Sequence, residues 1–192
     1  MKKKFFPLFA LIAACNLHAE EKAIDAPKYV NEAPLPEKWP EPGPFNKVEK
    51  KSYPAYRAAF TNGKGETSSF WRLFSHIKKN DIPMTAPVEM SMSEQDGKLS
   101  QAGMAFLYQN GTVGTKGPDG AKVEVRDIKA VQAYSYAWQG NDSKENIAKA
   151  RTALEETIEA EKVETLGFRL LGYNGPGTPR NKRTWELQAV LK

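Results

Sequence analysis

Between Thr67 and Val88 the chain reads TSSFWRLFSHIKKNDIPMTAPV, and this stretch leaves its own backbone little freedom. Helical spacing places Phe70, Leu73, Phe74 and Ile77 on one face while Arg72, Ser75 and Lys79 point elsewhere, so the segment must lie on an apolar surface. Pro83 cannot continue a helix, and Pro87 fixes the entry to an extended run, Val88 to Ser93. A helix over 67–79 that feeds directly into a strand over 88–93 is therefore the unit on which the fold has to be built.

The rest of the pattern repeats that unit. Tyr53 to Phe60 and Leu99 to Tyr108 read as strands around the first helix, and Asn110 to Gly120 as a Gly-rich connection. Val123 to Val125 and Ala130 to Trp138 read as further strands. A second helix spans Asp142 to Glu161, opened by a capping box of Asp142 and Glu145 and carrying the stripe Ile147, Ala150, Leu154 and Ile158. Phe168 to Gly172 and Thr184 to Leu191 close the second half. Strand-helix-strand-strand occurs twice, on element order alone. The expected fold class is α+β, the duplicated units pairing their sheets into a distorted antiparallel β-barrel flanked by two helices.

The first residues read as a targeting segment. Lys2, Lys3 and Lys4 form a basic start, and Phe5 to Ala14 an apolar run too short to span a bilayer. Two processing sites compete within residues 1–19: Leu17-His-Ala19 before Glu20, and Ile12-Ala-Ala-Cys15, which has the form of a lipobox whose Cys15 would be acylated. The expectation is an exported, periplasmic protein, with membrane contact only through such an anchor. Without those three lysines the count of Lys and Arg falls from 28 to 25 against 23 acidic residues. The net charge of +5 drops to +2, which does not argue for a nucleic-acid partner. Cys15 is the sole cysteine, so no disulfide holds the domain. From residue 20 to 52 six prolines between Pro27 and Pro44 predict an extended linker, with Trp39 and Phe45 able to lie against the domain. The globular domain is expected over 53–192, with a monomer as the working expectation.

Catalytic and metal signatures are sparse. His76 is the only histidine beyond the targeting segment, so neither a zinc cluster nor a Cys-His pair can be assembled. Glu155, Glu156 and Glu159 follow the spacing of a solvated helix face, and Gly111 to Gly117 lacks the order of a phosphate-binding loop. No enzymatic constellation is found.

Two further segments carry a resemblance. Phe70-Trp-Arg-Leu-Phe-Ser-His-Ile77 with Met84-Thr-Ala-Pro-Val88 is similar to the signature of the SOUL haem-binding family. Gly172-Tyr-Asn-Gly-Pro176 and Arg180-Asn-Lys-Arg-Thr-Trp-Glu186, a hundred residues on, resemble its closing pattern, with Met104 to Tyr108 between. The resemblance covers 53–192 and implies the same barrel, and non-covalent binding of haem or a related flat tetrapyrrole. Haem needs an apolar slot, cations for its propionates and sometimes an axial His, Met, Cys or Tyr. The candidates are Phe70, Trp71, Phe74, His76, Met84, Met90 and Tyr173, with Arg180 and Lys182 as cations beside Arg183. His76 is the candidate axial ligand, although it flanks the Phe70 stripe and is not a ligand carried over from the family. Met90 and Met92 share a strand face, and Arg151 on the second helix either pairs with a carboxylate or reaches to solvent. The alternative is a binding module for another hydrophobic small molecule, as in effector-binding domains of similar fold; an unpaired buried Glu would favour it.

Overall fold

In the computed structural model, which describes residues 27–62 and 66–192, the chain enters the sheet earlier than its proline content suggests. The linker prolines stop at Pro44, and Val48–Tyr53 forms strand β1 with Lys51 and Tyr53 turned inward, its first five residues inside the stretch expected to be spacer. Tyr56–Asn62 (β2), Glu66–Lys79 (α1), Val88–Gln95 (β3) and Lys98–Leu107 (β4) follow. The expected Gly-rich connection contains a short strand, Gly117–Asp119 (β5). Then come Val123–Ile128 (β6), Val131–Gln139 (β7), Lys144–Glu161 (α2), Thr165–Gly172 (β8) and Thr184–Leu191 (β9).

The expected α+β class with two repeated units is what the chain adopts. The described strands form one antiparallel sheet in the order β1-β7-β9-β8-β3-β4-β2-β6-β5. Each unit keeps the same internal order, β2-β4-β3 and β7-β9-β8, and the two meet where β3 pairs β8. The sheet is open, with β1 and β5 at its ends. Nevertheless its two halves are laced together. Tyr53 stands opposite Val131 and Tyr56 opposite Ile128, three residues on in one strand and three back in the other. β1 and β2 are thus one long strand bent at Pro54 and Ala55, paired in a single register with β6 and β7. This ribbon curls the sheet, giving it a concave inner face and an outer face that carries the helices.

Both helix ends are set by local chemistry. α1 stops at Lys79 before Pro83 is reached: Asp81 takes a left-handed conformation (φ 50°) and the Ile82 N–H returns to the Ile77 carbonyl at 2.9 Å. The N-cap of α2 is Ser143, one residue beyond the expected Asp142, and its side chain accepts from the Asn146 N–H. Ala150 and Leu154 of the expected stripe are buried. Arg151 pairs with Glu155 at 2.6 Å and Glu94 at 3.1 Å, the carboxylate-pairing outcome of the two alternatives. No described helix is long and apolar enough to cross a membrane.

The outer face packs Met90, Met104, Phe106, Leu170, Trp185 and Leu187 against α1 and α2. On the inner face, by contrast, charge is mixed with aromatics. Arg169 is 5% exposed and donates to Glu89 (3.0 Å), the Tyr56 hydroxyl (3.0 Å) and Gln188 Oε1 (2.7 Å). Its guanidinium lies 5.1–5.9 Å from the ring centres of Tyr53, Trp39 and Tyr56. Glu186, fully buried, takes hydrogen bonds from Lys51 (3.0 Å) and Tyr53 (2.6 Å). Burial, and after it the charge of Glu186, raises the Tyr53 phenol well above its usual range. Trp39 closes this interior from the proline-rich side, so the expectation that Trp39 would lie against the domain holds. Phe45 does so through a bridge to Ala137.

Candidate functional site

A cavity of about 600 Å³ opens on the outer face, between α1, the centre of the sheet and the loop after β8. Its apolar wall comes from α1. Phe70 and Phe74, one turn apart, stack at 6.0 Å with their planes 12° apart, and Phe70 meets Phe106 edge-on at 5.2 Å. Trp71 stands edge-on to both phenylalanines at 5.6 and 5.7 Å and is 58% exposed, an indole held at the mouth by its neighbours. The floor is the strand pair β3/β4, where Met90 lies opposite Met104, with Val88 beside them. Met84, Tyr173 and Trp185 complete the lining. Trp185 fits only because residue 172 is glycine: a Cβ there would stand 2.8 Å from the indole Cζ3.

The rim is polar. Asn174, Gly175 and Arg183 face residues of the segment before β1, which crosses the mouth as a strap. Lys28 and Val30 offer carbonyls to Gln139 (2.9 Å) and Asn174 (2.7 Å), Tyr29 sits edge-on to Tyr173 at 5.6 Å, and the Pro34 carbonyl accepts from the Ala86 N–H at 3.0 Å. Glu32 accepts from the Gly175 N–H at 2.6 Å and from the Thr178 hydroxyl. The Thr178 hydroxyl, then the Gly175 N–H and the charge of Arg183, hold this carboxyl below the usual glutamate range.

Six of the nine residues singled out from the sequence line this cavity: Phe70, Trp71, Phe74, Met84, Met90 and Tyr173. Three do not. Arg180 and Lys182 lie exposed on a turn of 3-10 helix, and the neighbouring Arg183 is the cation turned to the rim. His76 does not line this cavity: it lies on another side of α1 with both ring nitrogens engaged. Its Nδ1 meets Asp119 Oδ2 at 2.6 Å and its Nε2 the Tyr108 hydroxyl at 2.7 Å. There it borders a shallow second cleft with Arg72, Ser75, Lys79 and Asp119. The hydrogen bonds from His76, then from Lys79, lower the Asp119 pKa to about 2. Cys15, the processing sites and the targeting segment lie outside the described residues.

The sequence reading missed Met104, Trp185 and Glu32 as lining residues. Met104 and Trp185 stood inside quoted motifs; their register opposite Met90 and beside Gly172 was the missing signal.

As a receptor for haem the lining fits in volume, within the range of about 300–1,000 Å³ usual for small-molecule sites, and in apolar character. Of the residue types that ligate haem iron, it offers Met84, Met90 and Met104, whereas the Tyr173 hydroxyl is turned to the inner face, where it accepts from Trp39 Nε1 at 3.5 Å. Among the described residues no group of three or more His, Cys, Asp and Glu side chains is placed to hold a metal ion.

Comparison with solved structures shows the fold. The chain is 16% identical to the EcmrR C-terminal domain over 76% of its own length and 97% of that domain, with a TM-score of 0.55. An uncharacterized conserved protein from Listeria innocua gives 15% identity, 78% and 94% coverage and a TM-score of 0.57. Against the EcmrR chain in its DNA complex the TM-score is also 0.57, at 16% identity over 76% of this chain, which spans only 57% of that longer one. These are effector-binding-like folds. No curated protein sequence matches. The SOUL heme-binding protein family model, however, matches residues 38–188, from just before the buried Trp39 through β9. That span takes in α1, the Met-Thr-Ala-Pro-Val turn and the rim loop that together enclose the cavity, and the chain belongs to the SOUL haem-binding family.

Proposed function

We propose that this chain is an exported protein that binds haem or a related tetrapyrrole non-covalently in the cavity beside α1. The observation that carries the reading is a slot of about 600 Å³ walled by Phe70, Phe74, Trp185 and three methionines, with Arg183 at its rim, in a chain of this family. A flat apolar ring gains by leaving water for such walls, and its acidic groups gain from a cation at the mouth. Haem, when bound, would supply redox-active iron; the chain supplies shape, apolar surroundings and the thioether groups named above. Export and periplasmic residence rest on the composition of residues 1–19, and acylation at Cys15 is the variant of that reading in which the chain is membrane-anchored.

The alternative of a hydrophobic cation held by a free carboxylate is less well supported. Both glutamates buried on the inner face, among the described residues, are paired, Glu89 with Arg169 and Glu186 with Lys51.

Titration of the purified chain with haemin, followed at the Soret band, tests the proposal. Saturable one-to-one binding, weakened by Phe74→Ala and unchanged in band position by His76→Gln, is the expected result. Non-saturating adsorption, indifferent to Phe74→Ala, would refute it.

A further inference from the structure

The mouth of the cavity already holds a carboxylate, and it belongs to the chain itself. Glu32 is carried on the strap, whereas everything that binds it belongs to the body: the Gly175 N–H, the Thr178 hydroxyl and the field of Arg183. Those donors are held in place independently of Glu32. Arg183 is folded over the loop by its own bonds to the carbonyls of Thr178 (3.0 Å) and Pro176 (3.3 Å). Asn174 is fixed by the Thr184 N–H, which donates to its Oδ1 at 2.8 Å, and Thr178 is buried. An N–H and an O–H converging on one carboxylate, with the charge of Arg183 acting on it from the same rim, make a carboxylate site of the kind built from turn amides. Glu32, Gly175 and Arg183 all border the cavity, so the carboxylate sits where an amphipathic ligand, its apolar plate between Phe74 and Trp185, would present its acid group.

We infer that the 174–178 loop with Arg183 is a carboxylate receptor for the ligand of this cavity, and that Glu32 fills it as a built-in competitor which the ligand's own carboxylate displaces. The inference rests on the cavity being the ligand site, as proposed above. Two carboxylates cannot share these donors, so ligand entry and docking of strap residues 28–33 exclude one another. The ligand class follows: a flat apolar body with at least one free acid, a porphyrin carboxylate and not its ester.

Two measurements test this on the full chain. In the first, no large ligand is used. Thermal melts of wild type, Glu32→Ala and Glu32→Ala/Thr178→Val are compared in sodium acetate and in sodium chloride of equal ionic strength. Acetate is expected to stabilise Glu32→Ala alone; equal responses in wild type and Glu32→Ala overturn the receptor. Glu32 is exposed, so this variant keeps the fold. In the second, protoporphyrin IX and its dimethyl ester are titrated into wild type and Glu32→Ala. A strap docked about 90% of the time lowers apparent affinity about tenfold, so Glu32→Ala should bind the diacid about tenfold more tightly and the ester no better. An equal gain for the ester reduces the strap to a steric cover and overturns the inference, as does no gain for the diacid. If neither porphyrin binds either protein, the tetrapyrrole reading falls while the acetate melts still decide the receptor.

Discussion

Replacing Arg169 by methionine probes how the inner face of the sheet is held. The substitution keeps an unbranched side chain and removes a guanidinium that bonds Glu89, Tyr56 and Gln188 and lies among three aromatic rings. What remains is the larger problem, because Glu89 is then buried with its charge and only the Tyr56 hydroxyl, at 2.7 Å, as partner. Removing one member of a buried ion pair costs about 3–5 kcal/mol, more than the pair contributes over an apolar replacement. For a chain of this size about 2–4 °C of melting temperature accompanies each kcal/mol, so Tm should fall by about 6–20 °C. Differential scanning calorimetry of wild type, Arg169→Met, Glu89→Gln and the double variant reads both the cost and the coupling. The double variant should be less destabilised than the two single losses together by about 1–3 kcal/mol, as for residues within one network. A single-variant Tm within about 2 °C of wild type, or additive losses, would refute the account, since a change that small is worth about 1 kcal/mol or less.

Gly172→Ala places a methyl 2.8 Å from Trp185 and drives the indole toward the cavity; overpacking should cost about 1–3 kcal/mol and weaken haemin binding, and an unchanged Soret titration would show that the indole does not border the ligand. Tyr108→Phe leaves His76 Nε2 buried without its hydroxyl partner, a loss of about 1–3 kcal/mol in urea unfolding. Asp119, held near pKa 2 against 3.8 for the free group, gives stability that is fully present above about pH 4 and disappears as pH falls toward 2; the stability gap between wild type and Asp119→Asn should close over that window, and a gap independent of pH would contradict the His76 link. Ser143→Ala removes the α2 cap and should cost about 1 kcal/mol, read as a shift in the same unfolding curves.

The elements that the sequence announced were those whose periodicity is local. The α1 stripe, the α2 stripe and the strand pairs around them need only neighbouring residues to be read, and the duplication followed from their order. Residues 48–52 were read as spacer because six prolines dominate the preceding stretch while β1 is justified only by its partner β7, some eighty residues away. The cavity was legible in its aromatic half, since Phe70, Trp71 and Phe74 lie within one helix turn and a half. Its polar half was not. Arg183 differs from Arg180 and Lys182 only in how a 3-10 turn presents it, and Glu32 reaches the site from a segment with no pattern of its own. His76 looked like a ligand as the only histidine of the domain; nothing local showed that Asp119 and Tyr108, both distant in sequence, would claim its two nitrogens.

The bent ribbon formed by β1 with β2 and by β6 with β7 makes the duplication indivisible. β1 belongs in sequence to the first unit and hydrogen-bonds only the second, while β6 leads the second unit and covers β2 of the first. Each repeat therefore lends its leading strand to the other, and either one cut free would expose the bare flank of β2 or β7 as a template for pairing. A nick in the exposed 110–116 loop should accordingly yield two pieces whose natural partners are each other. Neither half can be given up, because each covers an edge strand of the other.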